Sequence, residues 1–325
     1  MGLFEDLKVE MTGKNQKIVF PEASDVRILG AASRLKADGV LEPVLVGHPE
    51  EVKALADKEG FAIEGIEIIN PEGYERFDEM VEVFIERRKG KATEEQAREI
   101  LLDHNYFATM LVQMDLVDGM VSGAASSTGD TIRPALQIIK TREGVNLVSS
   151  SFIMMREDER YVFADCAINI NPNAEQLAEI AIESARVAEL FGVDPKIAML
   201  SFSTKGSASG EEVEKVQEST RIAKEANSGY PIDGEMQFDA AFVPSVGKSK
   251  APDSKVAGEA TVYVFPDLQS GNIGYKMAQR LGGFEAVGPI LQGLNKPVSD
   301  LSRGCSEEDA YKTAIVTAKL ATLDD

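Results

Sequence analysis

The 325-residue chain is 43% hydrophobic and 27% charged. No apolar run approaches the roughly 20 residues that a bilayer span requires, so composition describes a globular chain long enough for two domains of ordinary size. A formal charge of −20 argues against nucleic acid as a partner, and two cysteines with two histidines are too few for a disulfide framework or a His/Cys metal site.

The N-terminal stretch MGLFEDLKVEMTGKNQK carries acidic residues early and has no long apolar core, so it does not read as a signal peptide and the cytoplasm is the expected compartment. From there the pattern alternates. Lys17 to Pro21 predicts a strand, Ser24 an N-cap for a helix over Asp25 to Ala37, Leu41 to Val46 a second strand, Pro49-Glu50-Glu51 a helix start and Ile66 to Ile69 a third strand. That alternation predicts a parallel sheet covered by helices. Helices follow over Phe77 to Lys89 and, behind the Thr93/Gln96 capping box, through Leu102. Arg87 and Arg88 close the first of these, where cations complement the helix dipole.

Val117 to Val121 predicts a strand that opens into the small-residue loop Ser122 to Thr131 and then a helix from Ile132 to Lys140, with Pro134 in its first turn. Strand, small-residue loop, helix is how such sheets bring backbone N–H groups to an anion, which makes Ser127, Thr128 and Arg133 candidate binding residues. The loop has neither the Lys-Ser/Thr ending of a P-loop nor the spacing of a dinucleotide fingerprint.

At Val145 the composition shifts. Val145 to Met155 and Tyr161 to Ala167 are β-rich runs around the charged turn Arg156 to Arg160, a hairpin, and Asn173 caps a long helix through Phe191. Lys196 to Ser201 is a strand that opens onto a second small-polar loop, Phe202 to Gly210, whose one cation is Lys205. Asp233 to Ala240 is mixed, Gly247 to Gly258 reads as an exposed loop, Thr261 to Phe265 as a strand, Ile273 to Leu281 as a helix and Ala286 to Leu291 as the last strand.

The segment PVSDLSRGCSEED, Pro297 to Asp309, then meets the terminal helix, which extends to near Leu323. Ser306 with Glu307, Glu308 and Asp309 is an N-cap followed by an acidic first turn, and Ser302 and Arg303 stand just before it. A hydroxyl, a guanidinium and a helix N-terminus can converge there on one anion; equally, Asp309 can serve only as a cap and Arg303 only as a partner for nearby acids.

KIVFPE (17 to 22), DGMVSGAASSTGDTIRPALQIIKT (118 to 141), FADCAINI (163 to 170), AMLSFSTKGSA (198 to 208), DGEMQFDAAFVP (233 to 244), FPDLQSGNIGYKMAQRLG (265 to 282) and GPILQGLNKPVSDLSRGCS (288 to 306) resemble, in that order, the phosphate acetyltransferases, also called phosphotransacetylases. The resemblance spans nearly the whole chain. It implies an α/β fold of two domains, each a mostly parallel sheet flanked by helices, with the active-site cleft between them. Residues 1–145 with 300–325 would form the first domain, the terminal helix packing back on it, and 146–299 the second.

The implied reaction is acetyl-CoA plus phosphate giving acetyl phosphate plus coenzyme A, with no tightly bound cofactor or metal and with a homodimer as the assembly. Asp309 would be the base, and Arg303 and Ser302 would bind and stabilise the reacting group. Arg133 and Arg87 would hold phosphate and the anionic parts of the coenzyme, with Arg88 an open alternative to Arg87, and Lys205 would be the second domain's contribution. An ordinary carboxyl taking a proton from an ordinary thiol is uphill by about 6 kcal/mol, so arginines must stabilise the thiolate or transfer must accompany attack. Because both substrates are anions, this acidic chain must gather its cations locally.

Cys305 as a nucleophile is the competing mechanism. Competing functions are a phosphate butyryltransferase, a non-catalytic acyl-phosphate or coenzyme A sensing module, and a metal-dependent decarboxylating dehydrogenase. The last lacks its clustered acidic ligands and its nucleotide fingerprint.

Overall fold

A computed structural model describes residues 3–226 and 229–322. In chain order its elements are α1 Leu3–Met11, β1 Lys17–Phe20, α2 Val26–Asp38, β2 Glu42–Val46, α3 Pro49–Glu59, β3 Glu67–Ile69, α4 Phe77–Arg88, α5 Glu94–Ile100 and α6 His104–Gln113. Then come β4 Gly119–Ser122, α7 Thr128–Ile138, β5 Ser149–Arg156, β6 Glu159–Ala164, α8 Ala174–Leu190, β7 Ile197–Leu200, α9 Glu211–Glu225 and β8 Ile232–Met236. The chain finishes with α10 Phe238–Phe242, α11 Pro244–Lys250, β9 Val262–Val264, α12 Leu268–Gly282, β10 Glu285–Gln292, β11 Val298–Asp300 and α13 Glu307–Ala321. The fold is α/β, with mixed, mostly parallel β-structure flanked by helices. Residues 1–143 with 294–325 form one compact unit and residues 144–293 another.

In the first unit the strands lie in the order β3-β2-β1-β4-β11 and all pair in parallel. Every residue of β4 is buried, which requires cover on both faces, and both α6 and α13 pack on it. α13 also packs on α2 and α1. Its Tyr311 hydroxyl donates to Asp38 Oδ2 at 2.6 Å, and the Arg34 guanidinium lies 4.4 Å from the centre of the same ring. Ile315 and Val316, each 0% exposed, contribute about 1.5–3 kcal/mol apiece by burial.

In the second unit β10, β5 and β6 pair antiparallel, and β6-β9-β7-β8 continue in parallel. Period-two alternation divides its core. Val162, Ala164, Val262 and Val264 join one cluster with α8, while Phe163, Tyr263 and Phe265 join the other.

Several boundaries differ from expectation, each for a local reason. Asp25, not Ser24, caps α2, because its carboxylate accepts from Arg27 N. Ser127 and Asp130 form a reciprocal capping box that starts α7 four residues before Ile132 and leaves Pro134 inside the helix. Gly247 to Lys250 is helical, and the mixed run around Asp233 divides into β8 and α10. Ala286 to Leu291 is not the last strand. Val298–Asp300 adds the short β11, paired to β4 and continued by Leu301 N donating to Ser122 O at 2.7 Å. Leu323, where the terminal helix was expected to end, lies outside the described residues.

Candidate active site

Because β2 and β4 lie on opposite sides of β1, chain connections leave in opposite directions there, the point at which open α/β sheets form a ligand crevice beyond their strands' carboxyl ends. Three segments converge on it: Glu22 to Arg27 after β1, Gly123 to Ser127 after β4, and Leu301 to Ser306 after β11.

Arg27 ties the three together. Its Nη1 donates to Arg303 O at 2.8 Å and Cys305 O at 3.0 Å, its Nη2 to Ala124 O at 2.6 Å, and Nε and Nη2 to the Asp25 carboxylate. That guanidinium holds the Asp25 carboxyl below the usual carboxylate range. Neither residue was singled out from sequence, although both lie where the connection from β1 enters α2, the side of a parallel sheet that carries functional groups.

The Leu301 to Ser306 loop turns through Cys305 N donating to Ser302 O at 2.8 Å, while Ser302 Oγ accepts from Gly304 N at 3.2 Å. Ser302, Arg303 and Asp309 are all exposed. Among the described residues the Arg303 guanidinium has no hydrogen-bond or ion-pair partner, whereas its backbone is fixed by Arg27. Asp309 completes the α13 capping box: its Oδ2 accepts from Ser306 N and Ser306 Oγ, both at 2.8 Å. Cys305 is buried, and burial first, with the nearby acids, pushes its thiol up to about 11 despite Arg27. Such a thiol stays protonated at neutral pH.

The loop after β4 departs from expectation. The N–H groups of Ala124, Ala125 and Ser126 already donate to the Glu22 carboxylate, so they are not open to a ligand. Ser127 is committed as well, its hydroxyl donating to Asp130 Oδ2 at 2.6 Å. Ser126 Oγ accepts from Asn105 Nδ2 at 3.1 Å, and Asn105 Oδ1 accepts from Ser122 Oγ at 2.6 Å. Thr128 and Arg133 remain exposed on the first turns of α7.

Beneath them lies Asp300, 1% exposed, with no hydrogen-bond partner for Oδ1 among the described residues. Burial pushes its carboxyl up to about 6; the neighbouring Thr128 and Thr131 hydroxyls oppose that, and the Glu22 charge adds to it. Gly123, at φ +105°, is the one residue type that fits against it, since a Cβ there would stand 2.4 Å from Asp300 Oδ1.

Arg87 is not turned toward this crevice. Its Nε and Nη2 donate to Ile138 O at 2.7 Å and Ile139 O at 2.9 Å, capping the carboxyl end of α7. Arg88 instead shares with Arg133 the neighbourhood of Tyr106, whose hydroxyl burial pushes up while the two cations oppose that only in part. Burial first, and then Arg87, Lys89, Arg88 and Lys91, lower the pKa of Lys140; those cations gather positive charge at this end of α7 in a strongly acidic chain.

In the second unit Lys205 Nζ donates to Asp233 Oδ1 at 2.6 Å and Gly234 O at 2.7 Å. Burial alone would raise the Asp233 carboxyl, but Lys205 and Lys224 hold it down at about 2. The loop bearing Lys205 is filled like its counterpart: Glu235 Oε1 accepts from Gly206 N at 2.7 Å and from Ser203 Oγ at 3.0 Å. Both small-residue loops are therefore closed by a carboxylate of the chain itself. Among the described residues no cluster of three His, Cys, Asp or Glu suits a metal, and no helix is long and apolar enough to cross a membrane.

Residues 3–318 match the protein family described as phosphate acetyl/butaryl transferase. A phosphate acetyltransferase of Bacillus subtilis strain 168 is 59% identical over 319 residues, which cover 98% of this chain and 99% of that protein. A phosphotransacetylase structure from Streptococcus pyogenes superposes with a TM-score of 0.95 at 61% identity, covering 99% of this chain and 98% of the other. For the EutD phosphotransacetylase from Staphylococcus aureus the TM-score is 0.93 at 55% identity, with 98% of each chain covered.

Proposed function

The chain belongs to the phosphate acetyl/butaryl transferase family, and from that premise we propose that it interconverts acetyl-CoA plus phosphate with acetyl phosphate plus coenzyme A by direct transfer in a ternary complex. The observation that carries this reading is Arg303: a guanidinium without a partner among the described residues, on a backbone held in place, beside the start of α13. In the thiol direction Asp309 accepts the thiol proton and the sulfur attacks the acetyl carbonyl. The C–S bond forms, the C–O bond to phosphate breaks, and phosphate leaves carrying the proton. Arg303 stabilises charge on the thiolate and the transferring group, and Ser302 donates to the carbonyl oxygen as it becomes an oxyanion. Arg133 binds the anionic parts of the substrates. Arg87 and Lys205 would have to release their present partners to do the same, which leaves Arg88 the readier cation of the pair.

A protonated, buried Cys305 favours the direct route over an acetyl-enzyme. Purified protein mixed with acetyl phosphate and coenzyme A should form thioester absorbance, with intersecting initial-rate patterns unchanged in Cys305→Ala and with acetyl-CoA outrunning butyryl-CoA. Parallel patterns that vanish in Cys305→Ala would place the acyl group on the enzyme. No thioester at all would end the transferase reading.

We also propose a homodimer. The exposed side chains Ile273, Met277 and Leu281, four residues apart along α12, form an apolar stripe suited to an interface. Sedimentation should give twice the chain mass, and a monomer that persists at high protein concentration would refute the assignment.

A further inference from the structure

A strand, small-residue loop and helix ordinarily present their backbone N–H groups to a bound phosphate. In this fold a carboxylate from the end of β1 lies across them. Glu22 Oε2 accepts from Ala124 N at 2.8 Å, and its Oε1 accepts from Ala125 N at 2.9 Å and Ser126 N at 2.7 Å. Glu22 is only 8% exposed, and among the described residues it has no ion pair; those three donors and the field of Arg27 offset its burial.

We propose that Glu22 is a positioning residue for the transfer reaction. It fills with the chain's own carboxylate the cradle that a substrate phosphate would otherwise enter, so the loop is fixed before substrate arrives. The phosphate group is thereby confined to the outer donors, Thr128 and Arg133 on α7 and Arg303 across the crevice.

Two independent features fit this role. The loop is held from its other sides too, by Asn105 on Ser126 and Arg27 on Ala124 O, which is the arrangement of a part whose position matters. Asp300, buried against Gly123 and electrostatically coupled to Glu22, adds a second acid beneath the loop, which opposes deeper entry of an anion. Because Ala124 and Arg303 share the Arg27 guanidinium, a shift of the loop is transmitted to the backbone that carries the proposed reacting cation.

The kinetic part of this inference rests on the transferase reading, but the cradle itself can be tested without any reaction. In Glu22→Gln the shape is kept, yet the amide brings an N–H donor against one of three N–H groups. We expect kcat to fall by about tenfold or more while KM for coenzyme A changes by less than about twofold. Amide hydrogen exchange over residues 119–127 should accelerate in parallel.

In Glu22→Ala, sodium formate should enter the emptied cradle and recover part of the lost rate, and inorganic phosphate, a product and hence an inhibitor of the wild type already, should inhibit several-fold more strongly by competing for it. Glu22→Asp, with a shorter reach, should fall between wild type and alanine. Wild-type kcat and wild-type exchange in Glu22→Gln overturn the proposal, as does a folded Glu22→Ala whose deficit ignores formate. If the wild-type protein made no thioester, the transferase reading would fail, while hydrogen exchange would still judge the cradle.

Discussion

Arg303→Ala is expected to lower kcat for acetyl transfer by about a hundredfold to a thousandfold, the range seen when one donor to a developing charge is removed from a preorganised site. Stability should barely change. Among the described residues the guanidinium makes no hydrogen bond or ion pair, and an exposed side chain of that kind typically contributes within about 0.5 kcal/mol. The backbone at this position should also stay in place, because Arg27 grips the carbonyl oxygen and not the side chain.

Arg303→Lys sharpens the prediction. Lysine restores the charge but not the planar fork, so the rate should recover only in part, and mostly through KM for the anionic substrates. The measurement is thioester formation with both substrates varied, beside a thermal melt. A rate within twofold of wild type in Arg303→Ala would remove this residue from the chemistry.

What the sequence disclosed and withheld follows from the range of the forces involved. The Thr93/Gln96 capping box and the Asn173 cap rest on local hydrogen bonds between residues three apart, so residue types alone revealed both. The α/β alternation is equally legible, since periodicity follows from which face is buried. β11 escaped notice because three residues behind a proline carry no period, and its pairing to β4 is set by partners far away in the chain.

The same limit applies to the site. Ser302, Arg303 and Asp309 stood out as a dense polar segment before a helix. Glu22 and Arg27 did not, because what makes them matter is a contact with a loop about a hundred residues later. The small-residue loops were recognised as cradles from their composition, but composition cannot say what fills them. Glu22 and Glu235 do so from strand ends remote in sequence. Arg87 illustrates the converse: its place at a helix end is readable, and the structure gives it a helix end to cap, but that of α7 instead of its own α4.

Asp309 presents the harder case, because one carboxylate serves two purposes. Its Oδ2 closes the α13 capping box, and its other oxygen, Oδ1, takes no part in that box. A simple loss of activity in a variant could therefore reflect a frayed helix start and not a lost base. Two substitutions separate these.

Asp309→Asn keeps an oxygen that can accept from Ser306 N but removes the ability to take a proton. It should lower kcat by about a hundredfold to ten-thousandfold with the melting temperature nearly unchanged. Asp309→Ala loses both functions. Its kcat should fall to a similar level, but it should also lose about 0.5–2 kcal/mol of stability with the cap, a drop of a few degrees in a thermal melt.

Since the same group accepts the proton in one direction and returns it in the other, the asparagine variant should slow thiol acetylation and acetyl phosphate synthesis by the same factor. If Asp309→Asn turned over at the wild-type rate, the base would have to be sought elsewhere around the crevice. If it lost rate only in proportion to a lowered melting temperature, Asp309 would be a cap and nothing more.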